Sequence, residues 1–392
     1  MDLESAKIDR IEAFALRLPR ELPYLGALEP GVRVTNDGYF VRPGNASVYS
    51  IHDQCTLVKI TASDGTIGWG ECVSFVVPEV IRTLINQLIG PLLVGRSVHD
   101  PAQIYYQLYD LMRVRGFFGG YYHDTLAAVD IALWDLSARV AGIGLSRLLG
   151  AGERSRIPAY ASGLPGSTLD QRVQLALDLQ RRGFHAVKFA AAVSHEGTAR
   201  EMAALREALG ANATILCDMH WKYTAPQAVA LIHQMQPHNL AVAEAPCRPE
   251  DIDGQARVAR AVQCPIGIGE ELRTSFEFLP RLERRSIGVA QPEMGRTGIT
   301  AFMEIVALCR AFHTDVMPHA SIGIGIFQAA SLHASAVSPM VSMHEYQHSI
   351  FDANLRYIEG NLRCEQGWFQ VPTGPGLGVV PREDLLRDCL IR

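Results

Sequence analysis

One repeated interval constrains this chain more than any other feature. Asp218, Glu244 and Glu270 close three short apolar runs, TILCD, AVAE and PIGIGE, and successive acids stand 26 residues apart. Such runs read as β-strands, where a carboxylate is a poor fit and costly to bury. Three at one end of successive strands persist together only if something cancels their repulsion. A divalent cation does that, and hard oxygen donors suit Mg2+. The plainer alternative is that each acid caps the helix that follows it.

From residue 155 onward, short apolar runs alternate with longer helical patterns. Strands are expected at 157–162, 186–191, 214–218, 242–244, 265–270, 288–293, 316–319 and 341–345. This alternation implies right-handed crossovers and a parallel sheet. Eight such strands close into an α/β barrel of the TIM type, with its chemistry at the C-terminal strand ends. The out-of-place charged residues all lie at that end. The first 150 residues differ. Residues 11–18 alternate like an antiparallel strand, and 56–61 and 67–70 flank an Asp64-Gly65 turn, a hairpin signal. Helical periodicity runs through 80–93, 103–112 and 124–140. An α+β domain of residues 1–150 is therefore expected ahead of a barrel domain of residues 151–363. The Gly-, Pro- and Asn-rich stretch 19–44 reads as a mobile loop.

Composition narrows the function classes. A chain of 392 residues exceeds one ordinary core, which agrees with two domains. A net charge of −5 without a basic block argues against nucleic acid and anionic membranes as partners. The eight cysteines form no CxxC pair and several sit in apolar runs, as expected of reduced thiols in a cytoplasmic protein. No basic-then-apolar leader opens the sequence, so secretion is not expected. Residues 316–344 contain no Asp, Glu, Lys or Arg. Pro318, His319, Gln328, His333 and Pro339 interrupt them, which favours a buried strand–helix–strand unit over a membrane span.

Four more positions carry chemistry. His220 follows Asp218 by two residues in CDMH, and strand alternation would put both side chains on one side; otherwise it is a loop histidine facing solvent. Lys188 interrupts AVKFA, where lysine is rarely buried without a task. It could neutralise a substrate carboxylate or act as a base, or merely snorkel to the rim. Glu293 in QPE and His319 in MPH end neighbouring strands, which lie about 4.8 Å apart. A carboxylate behind an imidazole fixes its tautomer and raises its basicity; the alternative is a core histidine with its bonds satisfied. Glu345 ends the last strand in HEYQ and could touch substrate, cap or pair.

These residues resemble those of the enolase superfamily, in its mandelate racemase-like branch. AAVDIALWDLSARVAGIGLSRLLG (127–150) is similar to that family's last capping-domain helix, and CDMH, AEAP and PIGIGE to its ligand-bearing strand ends. VPTGPGLGV (371–379) is similar to the C-terminal segment that returns to the capping domain. The resemblance implies a (β/α)7β barrel with an N-terminal capping domain that residues 364–392 complete. It implies Mg2+ held by Asp218, Glu244 and Glu270, a Glu293–His319 acid/base dyad, and a homo-oligomer. Where many members carry Lys-x-Lys, this chain reads Lys188-Phe189-Ala190, so the second lysine base is missing. The dyad acid is Glu where Asp is usual, and Asp-x-His on the third strand resembles acid-sugar dehydratases.

The reaction so implied removes the proton beside a carboxylate through an enediolate that Mg2+ and Lys188 stabilise. His319 takes the proton, His220 or the newly protonated His319 serves the departing 3-hydroxyl, and an aldonate or aldarate becomes a 2-keto-3-deoxy acid. A racemase or epimerase of a 2-hydroxy acid needs a base on each face, and Ala190 removes one. A metal-binding barrel without turnover is the third reading. Substrate contacts are expected from Glu345 and, in the capping domain, from Tyr24, Asn45, Arg115, Tyr122 and His123.

Overall fold

The computed structural model describes residues 6–150 and 154–391. The expected domain boundary at 150/151 abuts residues 151–153, and the expected first domain begins at residues 1–5, both outside the described residues. The chain opens with β1 (Ile8–Leu18), the hairpin β2 (Tyr39–Arg42) and β3 (Ser47–Ser50), then β4 (Asp53–Ala62) and β5 (Ile67–Val73). Antiparallel pairing in the order β1-β4-β5 makes the capping sheet. The β4–β5 turn is the one expected, with Gly65 at φ +85 and Asp64 accepting the Thr66 N–H at 2.9 Å. Helix Gly120–Val140 lies against this sheet, closely enough that a Cβ on Gly70 would stand 1.9 Å from the Ala128 carbonyl oxygen. The stretch expected as a loop at 19–44 instead runs into the β2–β3 hairpin, whose strands are too short for alternation to reveal.

The barrel strands follow as β6 (Arg156–Ser162), β7 (Ala186–Ala190), β8 (Thr214–Asp218), β9 (Leu240–Glu244), β10 (Ile266–Ile268), β11 (Val289–Ala290), β12 (Asp315–Val316) and β13 (His344–Gln347). They pair in parallel in chain order. The ring closes where β13 pairs with β6 and Val316 bridges Val341. A helix joins each strand to the next, from Leu169–Arg181 to Ile326–Val337. Thr168, Thr224 and Thr274 start three of them with capping boxes. The fold is an N-terminal capping domain and a parallel (β/α)7β barrel.

Three strands stop short of the expected ends. Gly269, at φ +148, turns the chain after β10, and Pro292 and Pro318 lack the N–H that would extend the ladder after β11 and β12. Glu270, Glu293 and His319 therefore stand just beyond their strands, although Glu293 and His319 still form a parallel bridge. Tyr160, Ala186, Leu216, Val242, Val289 and Met317 fill the barrel beneath them. The tail adds β14 (Ile358–Gly360), β15 (Arg363–Glu365), β16 (Trp368–Gln370) and β17 (Val379–Pro381). It then reaches the capping domain: the Leu377 N–H donates to Asp135 (2.7 Å), Arg139 to the Val379 carbonyl (2.9 Å), and the Ile391 N–H to the Ala15 carbonyl (2.9 Å). The eight cysteines are all free thiols. Among the described residues no helix is long and apolar enough to cross a membrane.

Candidate active site

At the C-terminal mouth of the barrel the charged strand ends converge. Lys188, pointing inward from the fully buried β7, is 3% exposed. Its Nζ lies 2.5 Å from Glu244 Oε1 and 3.0 Å from Glu345 Oε1, with the Tyr160 ring 5.6 Å away. Burial works against its charge, but Glu244 and Glu345 outweigh that and hold its pKa well above the ordinary lysine value. The lysine does not reach the rim. It is locked as a cation between two strand ends.

His319 is the second hub. Its Nδ1 is 2.6 Å from Glu293 Oε2, and its Nε2 is 3.0 Å from Glu270 Oε2 and 3.5 Å from Glu345 Oε2. Burial disfavours the imidazolium, yet the charges of Glu345 and Glu270 and the bonds to Glu270 and Glu293 raise its pKa well above the ordinary histidine range. Glu270 goes the other way. Burial would raise it, but His319 above all, then Lys188 and His220, hold it well below the carboxylate range.

Glu244, Glu270 and His319 offer ligand atoms that all lie within 4.8 Å of one another, a group that could hold a metal ion. Asp218 falls outside this triplet, although it sits in register beside Glu244. Its Oδ1 accepts the His220 N–H at 2.8 Å and faces the His220 ring at 3.1 Å. Five carboxylates, Asp218, Glu244, Glu270, Glu293 and Glu345, thus meet two cations, Lys188 and the His319 ring. Burial and then the Glu270 charge push Asp218 up to about 7. Burial, opposed by Lys188 but aided by Asp218, Glu345 and Glu270, does the same to Glu244. Excess negative charge among oxygen donors, with strained ionisation, is what a hard divalent cation relieves. The residues present fit one.

His220 reaches the site by another route than strand alternation. β8 ends at Asp218, and His220 and Trp221 take left-handed backbone (φ +52 and +56). This turn sets the Trp221 indole N–H on Glu270 Oε1 at 2.8 Å. Trp221 was not anticipated, and neither was Gln291, whose Nε2 donates to Glu244 Oε2 at 2.5 Å. Gln291 stands two residues before Glu293, so strand alternation could have found it. Gly267 makes room for it, since a Cβ there would meet Gln291 Oε1 at 2.2 Å. Gly267 of PIGIGE thus serves the side chain that orients Glu244.

The capping domain closes over one side of the mouth. Tyr24 is half-buried, and burial first, then the Glu345 charge, raises its pKa well above the ordinary phenol value. Tyr49, pushed up to about 12 by burial, senses Asp218 and Glu270, and its hydroxyl accepts from Asn45 at 2.7 Å. Tyr24 and Tyr49 pack with Leu25 on Ala190 and Val193 of the barrel. Arg42, 1% exposed, ties this lid to itself through Glu29 (2.9 Å) and the Tyr24 and Gly26 carbonyls (3.0 and 3.2 Å). Of the expected substrate contacts, Tyr24, Asn45 and Glu345 come together here. Tyr122 and His123 lie in the capping-domain interior, where the His123 ring sits between Tyr109 and Tyr122. Arg115 is exposed in the turn after helix Pro101–Arg113. Nothing in their spacing reveals which way these side chains point. Tyr49 sits in a polar stretch with no periodic signal.

Comparison with known proteins agrees with this geometry. Residues 171–385 match the enolase C-terminal domain-like family, and residues 30–150 match the mandelate racemase / muconate lactonizing enzyme N-terminal domain. A solved Sinorhizobium meliloti structure, provisionally named an isomerase, is 50% identical with a TM-score of 0.96, covering 98% of this chain and 99% of that one. A D-gluconate dehydratase of Thermoproteus tenax is 31% identical over 84% of this chain and 68% of its own length. A D-galactarolactone cycloisomerase of Agrobacterium fabrum is 28% identical over 85% and 90%.

Proposed function

The chain belongs to the enolase superfamily, in its mandelate racemase/muconate lactonizing enzyme family, and we propose that it is a Mg2+-dependent dehydratase of sugar acids. The observation that carries this reading is the Glu293–His319 pair, 2.6 Å apart, beside Lys188, with alanine at position 190. Glu244 and Glu270 would hold the cation, with Asp218 joining them from the adjacent strand. A cation bound there supplies positive charge that makes the proton beside a substrate carboxylate more acidic.

The chain's own groups do the rest. Lys188 faces the substrate carboxylate with the charge that Glu244 and Glu345 already hold in place. Once a cation on Glu270 offsets the charge that holds the His319 ring protonated, Glu293 accepts the Nδ1–H hydrogen bond and leaves Nε2 free to take the proton from C2. The departing 3-hydroxyl leaves as water with a proton from the newly protonated His319, or from His220 on a separate strand end when that ring is protonated against the burial that lowers its pKa. The enol product then becomes a 2-keto-3-deoxy acid. Tyr24, Tyr49, Asn45 and Gln347 present hydroxyl and amide groups that suit a hydroxylated chain, and a closed lid excludes water from the reacting carbon.

A second reading is an isomerase of the same substrate class. The location of His220 across from His319 would let it act as a second base, and the names of the Sinorhizobium and Agrobacterium relatives point the same way. Both readings begin with the same proton abstraction. A semicarbazide assay for 2-keto acid over a panel of aldonates and aldarates, with and without EDTA, tests the first. Keto acid that disappears with EDTA is expected. Deuterium entering C2 of recovered substrate from D2O with inversion, and no keto acid, would replace it with the second. No reaction across the panel would favour a binding barrel without turnover.

A further inference from the structure

The capping domain is joined to the proton-transfer pair as well as to the lid. Glu71 of β5, fully buried, extends its carboxylate to the turn and helix start that follow β12. Its Oε1 accepts the Ile324 N–H at 2.6 Å, and its Oε2 accepts those of Ile326 and Phe327 at 2.9 and 3.2 Å. These N–H groups open helix Ile326–Val337 and end the turn that follows His319. The fit is close: a Cβ on Gly323 would stand 2.8 Å from Glu71 Oε1. A second capping carboxylate holds the same turn from another side. Asp53 of β4 accepts from Arg20 (2.8 Å) and from Asn354 Nδ2 (3.0 Å), and Asn354 Nδ2 also donates to the Gly323 carbonyl (3.0 Å).

The turn so held carries three donors that define the site. The Ser321 N–H and hydroxyl donate to Glu293 Oε2 at 3.1 and 2.9 Å, and this is the oxygen that meets His319 Nδ1. The Ala320 N–H donates to Glu345 Oε2 at 2.9 Å. A continuous path therefore runs from Glu71 through the turn backbone to Ser321, Glu293 and the His319 ring. A carboxylate at a helix N-terminus stabilises that helix, but this one also fixes where the donors of residues 320 and 321 point.

We propose that Glu71 is a positioning residue for the base: it sets the turn whose Ser321 orients Glu293 behind His319. This rests on the reading of Glu293–His319 as the proton-transfer pair and holds equally for a dehydratase or an isomerase. Neither reading requires Glu71 to touch substrate.

The test uses the full-length Mg2+-loaded protein and the Glu71→Gln, Ser321→Ala, Asn354→Ala and His319→Asn variants. Two readouts are taken: turnover of D-gluconate and D-galactonate, and the downfield proton resonance of His319 Nδ1–H, assigned by its loss in His319→Asn. Glu71→Gln is expected to lower kcat by about tenfold to a hundredfold with KM within about twofold, as small misplacements of catalytic groups do. It should also shift or broaden the Nδ1–H resonance. Its effect on kcat should be less than additive with that of Ser321→Ala, because both act through one path. Should Glu71→Gln fail to fold, Asn354→Ala, which frees the Gly323 carbonyl and takes one donor from Asp53 while leaving Glu71 in place, takes its place with a smaller shift in the same direction. A folded Glu71→Gln or, in its place, Asn354→Ala protein with an unchanged resonance and unchanged kcat overturns the proposal. If the wild type turns over neither sugar acid, the dehydratase reading suffers, while the resonance still decides the role of Glu71.

Discussion

At the seam between the domains, Asp135 accepts the N–H groups of Trp69 and Leu377 and pairs with Arg139, all at 2.7–2.8 Å. At the barrel mouth, Asp218, Glu244, Glu270 and Glu345 crowd around Lys188 and His319 and are left in mutual repulsion. Burial lifts carboxylates in both regions: Asp130 and Glu71 of the capping domain and Asp218 and Glu244 of the mouth all rise to about 7. The remaining causes separate them. Hydrogen bonds pull Asp130 and Glu71 back down, whereas at the mouth the Lys188 charge opposes the rise of Asp218 and Glu244 while neighbouring carboxylates push both further up. On the function proposed above, a carboxylate that serves structure is given its own donors, and one that serves chemistry is kept in a field that a bound cation must relieve, at a cost in stability.

The largest effect should come from breaking the proton-transfer pair. His319→Asn keeps a polar amide near the Nδ1 position but loses the basic Nε2, and turnover should fall by at least about 10²–10⁴-fold with unfolding midpoints near wild type. Measured kcat within a fewfold of wild type would remove His319 from the chemistry. The seam should answer in the opposite sense. Asp135→Asn withdraws charge from Arg139 and a carboxylate oxygen from a backbone N–H, and chemical denaturation should register a loss of about 2–3 kcal/mol. Mg2+ affinity of the folded fraction should not change. Weakened metal binding with unaltered stability would erase the distinction between the regions.

The seam also predicts an acid limb. His333 receives the Ser146 N–H on Nδ1 and its Nε2 faces the Leu377 carbonyl, so the ring is neutral with the proton on Nε2. Burial lowers its pKa from 6.5 to about 4. The unfolded chain takes up this proton first as pH falls, so stability present above pH 6.5 is lost between 6.5 and about 4, in total about 3 kcal/mol. His333→Gln should flatten that limb in urea titrations across this range. An unchanged slope would mean that another group sets it. The smallest effect belongs to the mouth. Asp218→Asn removes one repelling charge and should raise the stability of the metal-free protein by about 1 kcal/mol, read by thermal unfolding in EDTA. A clear loss would place Asp218 with the structural acids.

Much of this arrangement is legible before any coordinates, and the reason is incongruity. Lys188 in AVKFA, Glu244 in AVAE and Glu270 in PIGIGE interrupt apolar runs and announce themselves. Glu293 and His319 do so at adjoining strand ends. Partners brought in by distant chain give no such sign. Glu71 lies in a hairpin strand and takes its first donor from a residue 253 positions away. Ser321 is an ordinary polar residue whose role appears only once Glu293 is beside it. Nor can composition tell direction: Arg115 and His123 lie close in sequence, yet one faces solvent and the other is enclosed by tyrosines.

Calorimetric titration of Mg2+ into EDTA-stripped wild-type protein and into Asp218→Asn tests the account most directly. One site per chain, with affinity at least about tenfold weaker in the variant, is the predicted result. Equal affinity in both proteins, or no binding by the wild type, would contradict it.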